Sequence, residues 1–388
     1  MSEWKKCPIG EVVTLRQGFA INAKSKHYMS KEETSLPLLR IADMKNGTKE
    51  VFVKEEIPQR FIAHPEDIIY TRTGNVGLVF RNNYGVMHNN CFSVTPNDAD
   101  ELSRDFLYYA LQNKTFFDTA NALARGAAQP DLPHTSFNSI EFAYPSLFAQ
   151  ERIANILSRY VSLIENYQKQ IKLLEEAARR LYKEWFVDLR FPGHENTKIV
   201  DGVPEGWEKK KLVDMVDVQY GYAFDGKMFN SNSEGMPILR IRNIPDGITS
   251  DYTTEEAQDC YIVHNGDIVI GMDGIFHINS WSGGDAYLVQ RACSFRPKEE
   301  CMKGFIFQAI QEPIKFFEKT LVGATVAHLG KKHIDSIELC IPKNFELYKP
   351  FSKFYNQRQG LLSQIRLLTE ARDRLLPKLM SGEINVES

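Results

Sequence analysis

The chain has 388 residues, 43% hydrophobic and 25% charged, enough to bury a real core and long enough for two or three domains. Its net charge of −3 argues against a polycationic nucleic-acid coat, so any such contact has to come from local patches. No apolar run approaches the roughly 18 to 20 residues that cross a bilayer, and MSEWKKCPIGE lacks a signal-peptide core, which points to the cytoplasm. In chain order, residues 1–149 show short β-branched and aromatic runs (EVVTL, DIIYT, GLVF) bounded by Gly, Asn, Asp and Pro, the pattern of a sheet-rich domain. Within it LSRDFLYYALQNKTFFDTANAL (102–123) predicts helix. Residues 150–186 predict one long helix, because apolar positions fall at Ile153, Leu157, Tyr160, Ile164, Tyr167, Ile171, Leu174, Ala178, Leu181 and Trp185. That alternation of four and three is a coiled-coil seam. Residues 187–206 are rich in Pro and Gly and predict a linker. Residues 207–343 return to strand text (DIVIG, IELCI), and 344–381 return to helix, with Phe354, Leu361, Ile365, Leu368 and Leu375 on the seam and Arg358 and Arg372 interrupting it. Pro377 is expected to end this helix near Leu376.

The return is a repeat. PLLRIADMKNG (37–47) is matched by PILRIRNIPDG (237–247), so that Arg40 meets Arg240 while Arg242 is new. The register continues through His64, Asp67, Ile68 and Gly74 to His264, Asp267, Ile268 and Gly274, and IKLLEEAARRL (171–181) pairs with IRLLTEARDRL (365–375). One folding unit has been used twice. The fold class is therefore α+β: two similar sheet-rich α/β domains joined by two long antiparallel helices in a coiled coil, related by a pseudo-twofold axis. A helix of about 33 residues spans roughly 50 Å and would hold the two domains a fixed distance apart.

Enzyme motifs are nearly absent: there is no phosphate loop, no GxSxG, no HExxH and no amino-methyltransferase [DN]PP[FYW]. Asp201 with Glu208, Lys209 and Lys210 loosely resembles a nuclease's acids and lysine, but its matched segment Trp4-Lys5-Lys6 has no such acid, so a structural role is expected. Repeated His64 and His264 read as turn residues before a strand. The six cysteines have no CxxC or Cys/His spacing and are expected as free buried thiols.

Matched loops keep their glycines and exchange their polar side chains. YTRTGNVG (70–77) faces IGMDGIFH (270–277), so Arg72, Thr73 and Asn75 give way to Met272, Asp273 and His277. GAAQPDL (126–132) faces GATVAHL (323–329), placing Gln129 against Val326 beside Thr325. Gln17-Gly18-Phe19 faces Tyr220-Gly221-Tyr222. Arg to guanine, Asn or Gln to adenine and Asp to cytosine are the usual partners for base edges in a major groove. These residues, with Arg40, Arg240 and Arg242, are the candidate DNA contacts.

Two variable units each followed by a heptad helix, with PSLFAQERIANIL (145–157), EWFVDLRFPG (184–193), VPEGWE (203–208), GDIVIGMDGIF (266–276) and QRACSFRP (290–297), resemble the specificity (S) subunit of a type I restriction-modification system over essentially the whole chain. The resemblance implies that 1–149 and 207–343 are target-recognition domains, each reading one half of a bipartite, asymmetric site in double-stranded DNA. It also implies that the helices act as a ruler and as the dock for two methylation subunits, which Gln150, Arg152, Ile156 and Arg159 would contact, and that restriction subunits join that core. S-adenosylmethionine, ATP and Mg would then sit on partner subunits, leaving this chain without catalysis or cofactor. Within residues 1–150, nine lysines and seven arginines stand against ten glutamates and seven aspartates, a balance of −1 that is poor for phosphate attraction. A coiled-coil adaptor with duplicated protein- or glycan-binding domains accounts equally well for the duplication and the acidity, but not for constant glycines with exchanged polar heads.

Overall fold

The computed structural model of the chain describes residues 4–126, 128–321 and 327–386. It falls into two compact units, Met1–Ser162 with Thr369–Ser388, and Leu163–Leu368. Each unit thus takes one globular domain and a piece of both long helices, Leu147–Tyr182 and Lys349–Met380.

In the first unit the strand Ile68–Thr71 is buried along its whole length, as a continuous apolar run covered on both faces must be. Its pleat sends Ile68 and Tyr70 into a large core with Phe92, Phe106 and Phe137, and Ile69 into a smaller one with Leu39, Ala63 and Met87. It pairs antiparallel with Cys91–Pro96, which pairs with Val13–Gln17, and on its other edge with Val79–Phe80. A second sheet runs in the order Met29–Ser30, Phe52–Val53, Leu36–Leu39, Gly85–Met87, Ile62–Ala63. Residues 102–123 form two helices rather than the one expected, Arg104–Ala110 and Lys114–Leu123. The break comes at Asn113, which is extended (φ −61°, ψ 136°) and starts the second helix, a position asparagine favours over a helix interior.

The helix pieces complete this unit's core. Ala149, Ile153, Ala154 and Leu157 pack in the same cluster as Leu379 and Met380, with Leu375 and Leu376 against it. Pro377 does not stop the second helix, which runs on to Met380. The ring removes one backbone bond, to Asp373, and both residues lie on the exposed side where water can take the freed carbonyl.

The second unit repeats this topology strand for strand. Ile268–Gly271 is its buried centre, between Ala292–Pro297 and Ile278–Ser280, with Val216–Tyr220 beyond. Ile268 and Ile270 join Phe295 and Phe305, while Val269 faces Leu239 and Trp281. Here the helix pieces run antiparallel: Gln170 and Leu174 share a groove with Leu361 and Gln364, and Tyr182, further along, meets Phe351. In both helices the expected seam positions are buried or half-buried.

After Tyr182 the first helix widens into a single π-type turn, Lys183–Val187. Residues beyond it are anchored, with the Phe191 ring 4.8 Å from Trp207 and a small hairpin pairing Ile199–Val200 with Val203–Pro204. Asp201 sits in that hairpin's turn and Lys209 and Lys210 lie in the strand Trp207–Lys211, paired with Glu338–Pro342. His64 and His264 occupy the turn before each central strand, their N–H groups donating to Asp67 and Asp267 at 2.9 and 3.1 Å. Each aspartate is then met by an arginine from a different strand, Arg16 at 2.6 Å in the first unit and Arg296 at 2.9 Å in the second. All six cysteines are free, but only Cys91 and Cys293 are buried and Cys260 is exposed, because its 3₁₀ turn lies at the surface. Among the described residues no helix is long and apolar enough to cross a membrane.

Candidate nucleic-acid interface

In the first unit the fold brings all three variable loops to one place. The end of Val13–Gln17 lies beside the loop that follows Ile68–Thr71, since the Arg72 guanidinium donates to Gln17 Oε1 at 3.2 Å. The third loop closes through Asp131, whose backbone exchanges two 2.8 Å bonds with Arg125 and whose carboxylate receives Arg72 at 2.7 Å and the Thr73 hydroxyl at 2.5 Å. Gly74 N–H reaches Pro130 O at 2.8 Å, and its φ of +83° explains the glycine there: an L side chain would be strained although space is open. Burial acts to raise the Asp131 carboxyl, but the Thr73 hydroxyl and the Arg72 guanidinium outweigh it and hold it below the usual carboxylate range. Burial, helped by Arg72, pushes the nearby His134 imidazole down.

The second unit repeats four bonds of the backbone frame among the described residues. Arg72 N–H to Asn90 O (2.8 Å) becomes Met272 N–H to Arg291 O (2.8 Å), and Leu132 N–H to Arg72 O (2.9 Å) becomes Leu329 N–H to Met272 O (2.7 Å). Gly74 to Pro130 becomes Gly274 to Ala327 at 3.0 Å, and Asn89 to Phe19 becomes Gln290 to Tyr222. On this shared frame the carboxylate changes sides. Where Thr73 faces Asp131, Asp273 faces His328, with Nδ1 2.5 Å from the carboxylate, and Arg291 approaches the other carboxylate oxygen at 3.0 Å.

One expected contact is corrected by where its side chain lies, and the others are placed as follows. Phe19 is 2% exposed and packs edge-on against Tyr28 and Phe61, so it is a core residue and offers no face to a base. Tyr222 is half-buried against Phe224 and Tyr261. Arg40 is taken up by Asp43 at 2.6 and 2.9 Å and by Glu50 at 2.6 Å, and Arg242 by Asp251. The Arg40 guanidinium in turn holds the Asp43 carboxyl below its usual range, as Arg242 does for Asp251. Arg240 lies over the Phe229 ring at 5.3 Å. Tyr220 has a buried hydroxyl whose pKa burial pushes up to about 12. Asn75 and Gln129 are exposed and His277 is half-buried at the interface loops. Thr325 and Val326 lie outside the described residues.

Of the residues expected to meet a partner, Gln150 is fully buried. Its amide donates to Glu101 O and Pro145 O at 2.9 Å and accepts from Ser103 N–H at 2.8 Å, so it latches the helix start to its own domain. Ile156 packs against the first unit's core, and only Arg152 and Arg159 are exposed. Sequence reasoning missed Phe148, which is more than half exposed beneath Arg152, and its matched residue Phe345, exposed to the same degree. The signal was present as a phenylalanine three residues after Pro145 and again after Pro342. It also missed Asn89, Asn90, Gln290, Arg291 and His328, which the loops bring to the same sites.

These features define a duplicated scaffold that presents exchangeable polar side chains on a constant backbone frame. The sequence profile of the type I restriction modification DNA specificity domain matches residues 1–176 and again 204–366, and the chain belongs to that family. Among curated relatives, the type I restriction enzyme MjaIX specificity subunit of Methanocaldococcus jannaschii is 27% identical over 326 residues, covering 76% of this chain and 72% of that one. The MjaVIII specificity subunit of the same organism is 26% identical over 415 residues, covering 100% and 94%. The crystal structure of a type I restriction-modification S subunit from M. genitalium shares the fold, with a TM-score of 0.60 at 19% identity, covering 97% of this chain and 96% of that one.

Proposed function

We propose that this chain is the DNA-specificity subunit of a type I restriction-modification complex, itself without catalysis, acting in the cytoplasm. Each unit, 1–149 and 207–343, reads one half of a bipartite asymmetric site in double-stranded DNA, and the helices 150–186 and 344–381 set the spacing between halves. The observation that carries this reading is the matched pair of loop frames, which share four backbone bonds and differ in their polar side chains, within a chain that the family profile matches twice. A constant frame with exchanged heads is what two different half-sites require, and a few bidentate contacts of roughly 1 to 3 kcal/mol each suffice to discriminate them.

Two methylation subunits dock on matched faces that include Phe148 with Arg152 in the first unit and Phe345 with Lys349 in the second, and restriction subunits join them. S-adenosylmethionine, ATP and Mg are bound by those partners. Arg40, Arg72 and Arg242 are each paired with a carboxylate, which lowers the net positive charge these loops offer to phosphates, in agreement with the acidic balance. The partners therefore supply much of the non-specific grip, and the isolated chain binds DNA weakly. Co-expression with the genes beside it, followed by single-molecule mapping of methylated adenines, tests the reading. A divided motif with two unlike halves is expected; an undivided motif, or none, rejects it. Tight sequence-specific binding by the purified chain alone at physiological salt would remove the weak-grip part.

A further inference from the structure

We propose that Arg291, braced by Asp273, is the side chain that reads a guanine in the half-site addressed by the second unit. The inference rests on the half-site reading above and goes beyond it by naming a residue and a base.

Asp273 would by type alone be matched to the amino group of cytosine. Its carboxylate is only 18% exposed and both oxygens are occupied, one by Arg291 Nη1 at 3.0 Å and the other by His328 Nδ1 at 2.5 Å. It faces its own protein and acts as a brace. The group it holds points outward: the Arg291 side chain is 68% exposed. With Nη1 on the carboxylate, Nη2 and Nε remain on the planar fork to donate outward.

A pair of parallel donors fits guanine, which offers two acceptors, O6 and N7, in the major groove. Adenine offers one acceptor and one donor there, and thymine one acceptor and a methyl, so the fork's second N–H meets no acceptor. The ion pair with Asp273 biases the exposed side chain toward this position before binding, which lowers the entropic cost of a selective contact.

Two further observations set Arg291 apart from the frame. Its φ is +70°, a left-handed conformation unfavourable for arginine, whereas Asn90, at the matched turn of the first unit, has no positive φ. Asn82, Leu189, Asp201 and Ser233 share this conformation, so it distinguishes Arg291 from its counterpart in the first unit and not from the rest of the chain. The frame bond made by its carbonyl, to Met272 N–H at 2.8 Å, is the one Asn90 makes to Arg72 at 2.8 Å, so the arginine side chain is not needed for folding of the turn.

The test uses the full chain in its co-expressed complex, with methylated adenines mapped across a plasmid library of randomised sites. Arg291→Gln is expected to lower the preference for guanine at one position of one half-site by roughly 10- to 100-fold and to leave the other half-site unchanged. Arg291→Lys, which keeps the charge and loses the fork, should do the same. Unaltered preference in both variants, or an equal loss across all sequences as for a phosphate or structural contact, overturns the assignment. Should both variants fail to assemble, Arg291→Asn, which restores the residue of the matched turn in the first unit, is mapped in the same way: loss of guanine preference at one position of one half-site supports the assignment, and unaltered preference overturns it. A wild-type complex that marks no divided motif overturns the half-site reading itself, and the guanine assignment falls with it.

Discussion

Arg358, buried in the second long helix, donates from Nε to Glu175 of the first long helix at 2.6 Å. The rest of its guanidinium reaches the Ser280 hydroxyl and Asn279 Oδ1 (2.8 Å) in the neighbouring sheet, and its plane lies over Phe307 at 5.6 Å. One side chain thus fixes helix register and domain docking together within the second unit. Arg358→Ala strands the buried Ser280 hydroxyl and the half-buried Asn279 amide oxygen and is expected to cost about 1–3 kcal/mol. Glu175 is 41% exposed, so Glu175→Gln should cost less than about 1 kcal/mol. Urea titration of the full chain followed by near-ultraviolet circular dichroism checks both, and equal costs for the two variants would mean that the sheet contacts of Arg358 contribute nothing.

The changed side of the carboxylate predicts coupling between substitutions. Thr73→Asp alone sets a second carboxylate against Asp131, which already lies 2.5 Å from the threonine hydroxyl. It should destabilise the first unit, and Asp131→His added to it should recover stability by imitating the Asp273–His328 pair. A double-mutant cycle on thermal midpoints should give a coupling of roughly 0.5–3 kcal/mol in the favourable sense. For the same reason, moving only loop 270–277 into the first unit is expected to fold poorly, while moving it together with the residues that face it is expected to transfer reading. Additive effects in the cycle would show that the two positions do not interact.

What the sequence made legible was whatever repeats or alternates. The seam residues Ile153 to Trp185 carry a period that survives any detail of packing, and the buried strand Ile68–Thr71 is recognisable because every residue in it is apolar or threonine. The three variable loops were also legible, since glycines kept while neighbours change can be found by comparing the halves. What stayed hidden was direction. Nothing in residue type says that Phe19 turns inward, that Gln150 spends its amide on its own backbone, or that Arg72 closes on Asp131, because these depend on partners far away in the chain; Arg40 and Asp43, three residues apart, were within reach of a local reading. Arg291 and His328 were missed although they lie inside the quoted segments QRACSFRP (290–297) and GATVAHL (323–329), because only the fold brings their loops together.

Acid should weaken the first unit in two steps. Burial lowers His88 and His134 from the ordinary 6.5, with Arg40 and Arg72 adding to the effect. Asp43 is lowered by its bonds to Arg40, and Asp131 by Thr73 and Arg72 against burial. All four groups have folded values below their unfolded ones, so the unfolded chain binds more protons and stability falls with falling pH. The histidine part is intact above 6.5 and is lost as pH drops through their folded values; the carboxylate part follows below 3.8. Thermal midpoints measured from pH 8 to pH 4 should decline through the first window, and replacing both histidines by Gln should flatten that decline. A midpoint rising on acidification would contradict the sign.

Gly18 and Gly221 mark the closest backbone approach in each frame, and the two should respond alike to a single added carbon. A Cβ at Gly18 would stand 2.2 Å from His88 O, and one at Gly221 would stand 2.1 Å from Val289 O. Both obstacles are backbone carbonyls of residues bridged to the next position of the same loop, His88 to Phe19 and Val289 to Tyr222, so moving them would open those bridges. The neighbouring bonds, Gly18 N–H to Cys91 O at 3.2 Å and Gly221 N–H to Ala292 O at 3.0 Å, would have to open to make room. Gly18→Ala and Gly221→Ala are each expected to cost about 1–3 kcal/mol or more from overpacking alone. Because Gln17 and Tyr220 sit next to these glycines, each variant should also blur the sequence preference of its own unit while sparing the other. Chemical denaturation measures the first effect and methylation mapping of the assembled complex the second. Full stability in either variant would mean that the carbonyl moves freely and that glycine is not required by the frame.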